Sequence, residues 1–326
     1  VTASNSRLAE IASLLKRANK LLVVGHIAPD GDSLGSTMAL ARLLAQSGKE
    51  AYVACLDRIP ARYEFLLRYF PVITQVDGLP LAADCIIILD CGDLARTGLP
   101  AQYVAERQVI NIDHHVSNRG TWGLSWVDDA YSATGQQIMS LVDQAAWQVD
   151  SGTATCLYAS LTADTGFFRH TNTTPELFRD AARLLEWGAD ARLVTEQALE
   201  RRSLGELCLL RHALATLSLH SAERVAMIEV SYEVAERCGV QADEVEDMVD
   251  YARAVPGVEV AILLKEMAPQ VTKVSLRAKG RVDVSKVAET FGGGGHRAAA
   301  GATLPYALAH ARQEVLARVM RVLNHD

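Results

Sequence analysis

No apolar stretch of this chain reaches about 18 residues without a charge, so nothing in it reads as a membrane-spanning helix. The opening residues, VTASNSRLAEIASLLKRANK, have the pattern of an amphipathic helix of mixed charge and lack the apolar centre of a signal peptide. CxxC spacing is also missing, although there are six cysteines, Cys55, Cys85, Cys91, Cys156, Cys208 and Cys238. Their scatter argues against a zinc ribbon or a disulfide frame. It predicts buried thiols in a reducing compartment, with the cytoplasm as the expected location. A basic excess is absent too: the formal net charge is -7, which argues against coating long nucleic acid or duplex DNA. Internal repeats are absent, and low-complexity sequence is limited to one glycine run.

The 326 residues, 49% hydrophobic and 22% charged, suffice for two domains with proper cores. The chain starts at Val1 rather than Met, so further residues are expected before it. In the first half, apolar runs alternate with helical patterns. Strands are predicted at Leu21–His26, Glu50–Leu56, Asp84–Asp90 and Gln108–Asp113. Helices are predicted at Ser33–Gln46, Arg62–Tyr69, Ser132–Ala146, Thr153–Asp164 and Pro175–Trp187. Near-continuous Val/Ile/Leu strands between helices imply a parallel sheet covered on both faces. A passage from Ala191 to His220, rich in Arg, Glu and Leu, reads as a helical connector. Beyond it, Arg224–Val230 reads as a strand, Asp243–Ala254 as a helix, and Val258–Lys265 with Lys273–Lys279 as an antiparallel pair. Val284–Phe291 and Ala307–Leu323 are predicted helices. The fold class is therefore α/β: a parallel-sheet domain (1–190), a connector (191–220) and a smaller mixed α/β domain (221–326).

Acids and histidines follow the predicted strands. LLVVG leads into His26-Ile27-Ala28-Pro29-Asp30-Gly31-Asp32, CIIIL into Asp90, and QVINI into Asp113-His114-His115. Asp164 ends the helical stretch TCLYASLTA. Open α/β sheets bind their ligands beyond the carboxyl ends of the strands. Carboxylates gathered there repel one another and lose hydration unless something positive sits among them, and a pair of divalent ions answers that need. Each residue also has a plainer reading. Asp32 or Ser33 could cap the helix starting near Leu34, Asp90 could mark where the chain reaches water, and the two histidines could lie on a surface loop. Asp93 reads as a turn or cap residue. Asp164 would face the unfavourable negative end of a helix unless a cation lay nearby.

In the second half, Ile262 to Thr303 holds seven Lys/Arg against three acids, a local excess of +4 suited to a small phosphorylated ligand. GGGGHRAAAG (Gly292–Gly301) lets backbone N–H groups approach an anion closely. His296 and Arg297 are expected to open a helix whose N-terminus favours phosphate. No Lys-Ser/Thr follows the glycines, so this is not a Walker A loop. Arg277, in VSLRAK, is the expected charged partner for phosphate oxygens.

Taken in order, HIAPDGDSLGS, ILDCGD, NIDHHVSN and LTADTG resemble the four motifs of the DHH phosphoesterase superfamily, and GGGGHRAAAG resembles the signature of its DHHA1 domain. Together these cover nearly the whole chain, and its length and architecture are most similar to the nanoRNase/pAp-phosphatase branch. The resemblance implies that His26 and Asp30 hold one ion, that Asp32, His114 and Asp164 hold the other, and that Asp90 bridges. It implies His115 beside the scissile phosphate, and Arg277, Gly293, Gly294, Gly295 and His296 on the substrate. Oxygen and nitrogen donors without thiolate favour two Mn²⁺, with Mg²⁺ or Co²⁺ as alternatives.

The expected activity is hydrolysis of short oligoribonucleotides, of 3′-phosphoadenosine 5′-phosphate (pAp), or of both, with the domains closing around short substrates. A cyclic-di-AMP or pApA phosphodiesterase is the alternative enzyme, and an inactive nucleotide- or RNA-binding module the alternative class. A type II pyrophosphatase would lack the GGGGH loop. A single-strand exonuclease would carry an aromatic-lined basic groove, which 6% aromatics and the net charge do not suggest. No membrane partner is expected, and the oligomeric state is left open, a homodimer included.

Overall fold

The computed structural model of the protein describes residues 2–240 and 248–325. The chain divides into two compact units, Val1–Arg201 and Arg202–Asp326. In the first, β1 (Lys20–Val24), β2 (Glu50–Ala54), β3 (Val72–Ile73), β4 (Cys85–Leu89), β5 (Gln108–Asp113) and β6 (Leu124–Val127) form one sheet. All its pairings are parallel, in the order β3–β2–β1–β4–β5–β6. The helices are α1 (Thr2–Arg17), α2 (Gly31–Gln46), α3 (Ala101–Ala105), α4 (Thr134–Ala145), α5 (Ser151–Asp164), α6 (Pro175–Glu186) and α7 (Ala191–Val194). The run expected as a helix at Arg62–Tyr69 forms a 3₁₀ helix, Ala61–Arg68.

The residues of β4 are all buried, because both faces of the sheet are covered. Leu21, Val23, Ile87 and Leu89 point into one core with α2, α4 and α5, while Leu22, Val24, Ile86 and Ile88 point into the other. The strand order reverses between β1 and β4, so a crevice opens beyond their carboxyl ends.

The second unit contains β7 (Ser218–His220), β8 (Val225–Val230), β9 (Val260–Ala268), β10 (Val271–Ala278), β11 (Gly294–His296) and β12 (Ala299–Leu304), in the order β11–β12–β10–β9–β8–β7. Among the described residues of this unit, only β8 and β9 pair in parallel. Its helices are α8 (Leu204–Ala215), α9 (Tyr232–Cys238), α10 (Val249–Ala254), α11 (Ser285–Glu289) and α12 (Leu308–His325). Of the helix expected at Asp243–Ala254, α10 is the described part, and residues 243–247 lie outside the described residues.

Residues 191–220 are not one helical passage. They form α7, a π-helical turn (Thr195–Glu200), α8 and β7, and the units divide within them. The helix expected after the glycines is also absent. Gly294–His296 and Ala299–Leu304 pair instead as an antiparallel hairpin. A Cβ on Gly293 would sit 2.2 Å from the Gly301 carbonyl oxygen, so glycine serves close strand approach here.

The cysteine expectation holds only in part. Cys55, Cys85, Cys91 and Cys156 are free and buried, but Cys208 and Cys238 form a disulfide with a Cα–Cα distance of 5.7 Å. They lie 30 residues apart and meet only because α8 packs on α9. Lys265, counted in the local basic excess, is fully buried in β9 and adds nothing to a basic surface. Among the described residues, no helix is long and apolar enough to cross a membrane.

Candidate metal centre

The crevice beyond β1 and β4 collects the acids and histidines singled out in the first unit. His26 follows β1, Asp90 follows β4, and His114 and His115 follow β5. Asp30 and Asp32 sit at the start of α2, and Asp164 is the last residue of α5. The backbone at Asp90 is left-handed (φ 55°), a conformation uncommon for a non-glycine residue.

Asp90 is the hub. Its Oδ2 lies 3.5 Å from His26 Nε2, and its Oδ1 lies 3.6 Å from His114 Nε2 and 3.5 Å from His115 Nδ1. Asp30 Oδ2 is 3.7 Å from His26 Nε2. On the other side, Asp32 Oδ2 is 3.6 Å and Asp164 Oδ2 2.9 Å from His114 Nε2. The donors therefore fall into groups whose ligand atoms lie within 4.8 Å of one another: His26, Asp30 and Asp90; Asp32, His114 and Asp164; and Asp90, His114 and His115.

Both ligand-type histidines are set by the backbone. His26 Nδ1 donates to the Ile27 carbonyl at 2.8 Å, and His114 Nδ1 to the Tyr131 carbonyl at 3.3 Å. A carbonyl only accepts, so each ring presents Nε2 to the acids. His115 Nδ1 instead binds Asp113 Oδ1 at 2.7 Å, and Asn118 Nδ2 donates to Asp113 Oδ2 at 2.7 Å.

Burial and mutual repulsion leave these acids short of positive charge. Burial, then the charges of Asp90 and Asp164, pushes the Asp32 carboxyl well above the usual range. Burial, opposed by the His114 ring and reinforced by Asp30 and Asp90, pushes Asp164 up to about 6. Burial would raise Asp90 as well, but His114 and His26 hold it below the ordinary carboxylate range. Burial works against charge on the rings, yet Asp30 and Asp90 push His26 up to about 11, and Asp164 and Asp90 push His114 up to about 12. His115 is raised by Asp113 against its burial.

Protons on these rings thus stand where other positive charge is called for. Asp90 Oδ2 and His114 Nε2 are buried without a hydrogen-bond partner, although Asp164 Oδ2 lies 2.9 Å from the latter. Buried polar atoms without partners are costly. Carboxylate oxygen and imidazole nitrogen form a donor set that fits divalent ions, so these residues suit the metal centre expected of them.

The cap readings sort differently from expectation. Asp30, not Asp32 or Ser33, caps α2, its Oδ1 accepting from Ser33 N at 2.9 Å. Asp32 is fully buried. It accepts the N–H groups of Thr134 (2.7 Å) and Gly135 (3.1 Å) at the start of α4, and the Ser160 hydroxyl of α5. Asp93 is a cap, as expected, accepting from Ala95 N at 2.9 Å.

Thr134, Gly135, Ser160 and Asn118 escaped sequence reasoning. The available signal was the small-residue run Ser132-Ala133-Thr134-Gly135 opening an apolar helix. A Cβ on Gly135 would lie 2.0 Å from Ser160 Oγ, so only glycine lets α4 approach α5 and Asp32 this closely.

In the second unit, Arg277 on β10 is opposite Ala299 on β12, and Ala299 is opposite His296 on β11. Directly opposed residues share a face, so Arg277 and His296 stand in one row, two strand spacings or roughly 10 Å apart. Gly293, Gly294 and Gly295 border this row, and β11 is exposed.

Residues 20–161 match the DHH family, N-terminal domain, and residues 229–325 match the DHHA1 domain. The chain is 35% identical to the bifunctional oligoribonuclease and PAP phosphatase NrnA of Thermus thermophilus, over 90% of this chain and 87% of that protein. It is 24% identical to the protein of the same name from Bacillus subtilis, over 90% and 92% respectively. The crystal structure of an exopolyphosphatase-related protein from Bacteroides fragilis shares the fold, with TM-score 0.89 at 22% identity over 97% of this chain and 96% of that one. Acids at the strand ends, a glycine hairpin in the second unit and these matches agree: the chain belongs to the DHH–DHHA1 family of hydrolytic phosphoesterases, in its bifunctional oligoribonuclease and PAP phosphatase branch.

Proposed function

We propose that this protein hydrolyses phosphoester bonds at the ends of short oligoribonucleotides and in pAp, using two Mn²⁺ ions. The observation that carries the reading is Asp90, which turns one oxygen toward His26 and the other toward His114. In this assignment His26 and Asp30 hold one ion, Asp32, His114 and Asp164 hold the other, and Asp90 serves both. When bound, such a pair makes water acidic enough to attack near neutral pH and draws negative charge off the phosphoryl oxygens.

The chain's own groups do the rest. His115 is the residue beside the scissile phosphate. Its Nδ1 is engaged by Asp113, so Nε2 is the atom that holds a proton for, or gives one to, the ester oxygen. Asn118 keeps Asp113 in place for that task. Thr134, Gly135 and Ser160 fix the Asp32 carboxylate, so the centre does not have to reorganise when charge develops. Arg277, Gly293, Gly294, Gly295 and His296 bind the phosphate-bearing end of the substrate, the guanidinium offering paired donors to phosphate oxygens. The names of the relatives from Thermus thermophilus and Bacillus subtilis support this choice of substrates.

The test offers one preparation pAp, a ribodinucleotide, a short RNA and a cyclic dinucleotide in Mn²⁺, with products separated by chromatography. Inorganic phosphate from pAp and mononucleotides from the linear substrates are expected. Failure on both, or turnover confined to the cyclic dinucleotide, would refute the assignment.

A further inference from the structure

We propose that Cys208, His212 and Cys238 form a second metal site, for a soft divalent ion of the zinc type, which is available when the two thiols are reduced. One ligand atom from each of the three residues lies within 4.8 Å of the others. Cys208 and His212 are four residues apart on α8 and so share one helix face. Cys238 is the last residue of α9. Gly205 allows the ends to meet: a Cβ there would lie 2.7 Å from the Cys238 carbonyl oxygen and 2.6 Å from Val240 Cγ1. A disulfide that only tied α8 to α9 would need no imidazole beside it. Arg211 Nη2, which can only donate, lies 3.1 Å from His212 Nε2, so Nε2 is the unprotonated ring nitrogen, and the guanidinium has to move off it when a metal binds.

Two thiolates and an imidazole are a soft set that selects zinc-type ions over Mn²⁺ or Mg²⁺, with a fourth position left for water or another ligand. The centre of the first unit has only oxygen and nitrogen donors, so the two sites discriminate by chemistry. The disulfide and the metal-bound state exclude each other. A dithiol reductant delivers two electrons and two protons to the S–S bond, giving two thiols while becoming a disulfide itself. Ion binding then releases the two thiol protons.

Cobalt(II) added to the full chain tests the site. A thiolate-to-cobalt charge-transfer band can come only from cysteine ligands, and the other four cysteines are buried. Reduced protein is expected to show the band, saturating once enough cobalt is present to fill this site as well as the two ion positions of the first unit. Oxidised protein and the Cys208→Ser/Cys238→Ser variant are expected to lack it. In reduced wild-type protein, Zn²⁺ is expected to protect Cys208 and Cys238 from alkylation, read by peptide mass, a measurement that does not depend on the variants folding. Reduced wild-type protein with neither band nor protection would overturn the proposal. So would a His212→Ala variant that binds cobalt as tightly as wild type.

Discussion

Ser160→Ala removes one of three donors to the buried Asp32 carboxylate and leaves the N–H groups of Thr134 and Gly135 in place. A hydrogen bond to a charged group contributes about 1.5–3 kcal/mol. At roughly 1.4 kcal/mol per tenfold, that is about 10–100-fold in the affinity of a metal held by Asp32. Loss of a hydrogen-bonding partner behind a metal ligand has about the same effect, 10–100-fold. In the metal-free protein Asp32 is pushed toward its neutral form, so there the lost bond is an ordinary one. It then costs about 0.5–1.5 kcal/mol, or about 1–6 °C in Tm for a unit of this size. The assay is phosphate release against Mn²⁺ concentration. The variant's curve is expected to shift 10–100-fold toward higher Mn²⁺, with kcat largely recovered at saturation. An unshifted curve would refute the reasoning, as would an activity loss that Mn²⁺ cannot rescue in a protein of nearly unchanged Tm.

Other outcomes follow from the same geometry. Asp90→Asn keeps the shape and removes the shared charge; since outer partners alone are worth 10–100-fold, turnover should fall at least about 100-fold while circular dichroism stays native, and full activity would exclude a shared ligand. Folded-state pKa values raised at Asp32 and Asp164 mean that the metal-free folded chain keeps protons that the unfolded chain releases, so their contribution to stability falls as pH rises above about 4, through about 6 for Asp164. A bound ion displaces those protons, so the Tm increase caused by Mn²⁺ should be larger at pH 7.5 than at pH 5; equal shifts in differential scanning fluorimetry would contradict this. Gly293→Ala forces a Cβ against the Gly301 carbonyl oxygen and displaces β11 at a cost of about 1–3 kcal/mol, so KM should rise while the Mn²⁺ activation curve stays unchanged.

Much of the centre was legible in the chain. CIIIL followed by Asp90, and QVINI followed by Asp113-His114-His115, combine two local signals, a buried parallel strand and titratable groups at its end. The assignment of individual roles was less legible. The helix cap fell to Asp30 rather than Asp32 or Ser33, because a two-residue shift at the start of α2 decides which carboxylate caps and which is buried. GGGGHRAAAG pointed to backbone N–H groups facing an anion and to a helix opening at His296 and Arg297; the helix is replaced by pairing with β12, where the glycines let the two strands lie close.

The order of apolar runs, turns and acids by itself determined that this chain would build a parallel α/β unit with carboxylates and histidines at one edge, because strand formation and burial follow local pattern. Only tertiary structure decided which distant groups complete that edge. Ser160 reaches Asp32 across 128 residues and Thr134 across 102, and Cys208 finds Cys238 across 30. No local rule links such pairs. Their contacts exist because α4 and α5 pack on α2, and α8 on α9, and packing is set by the summed burial of whole faces.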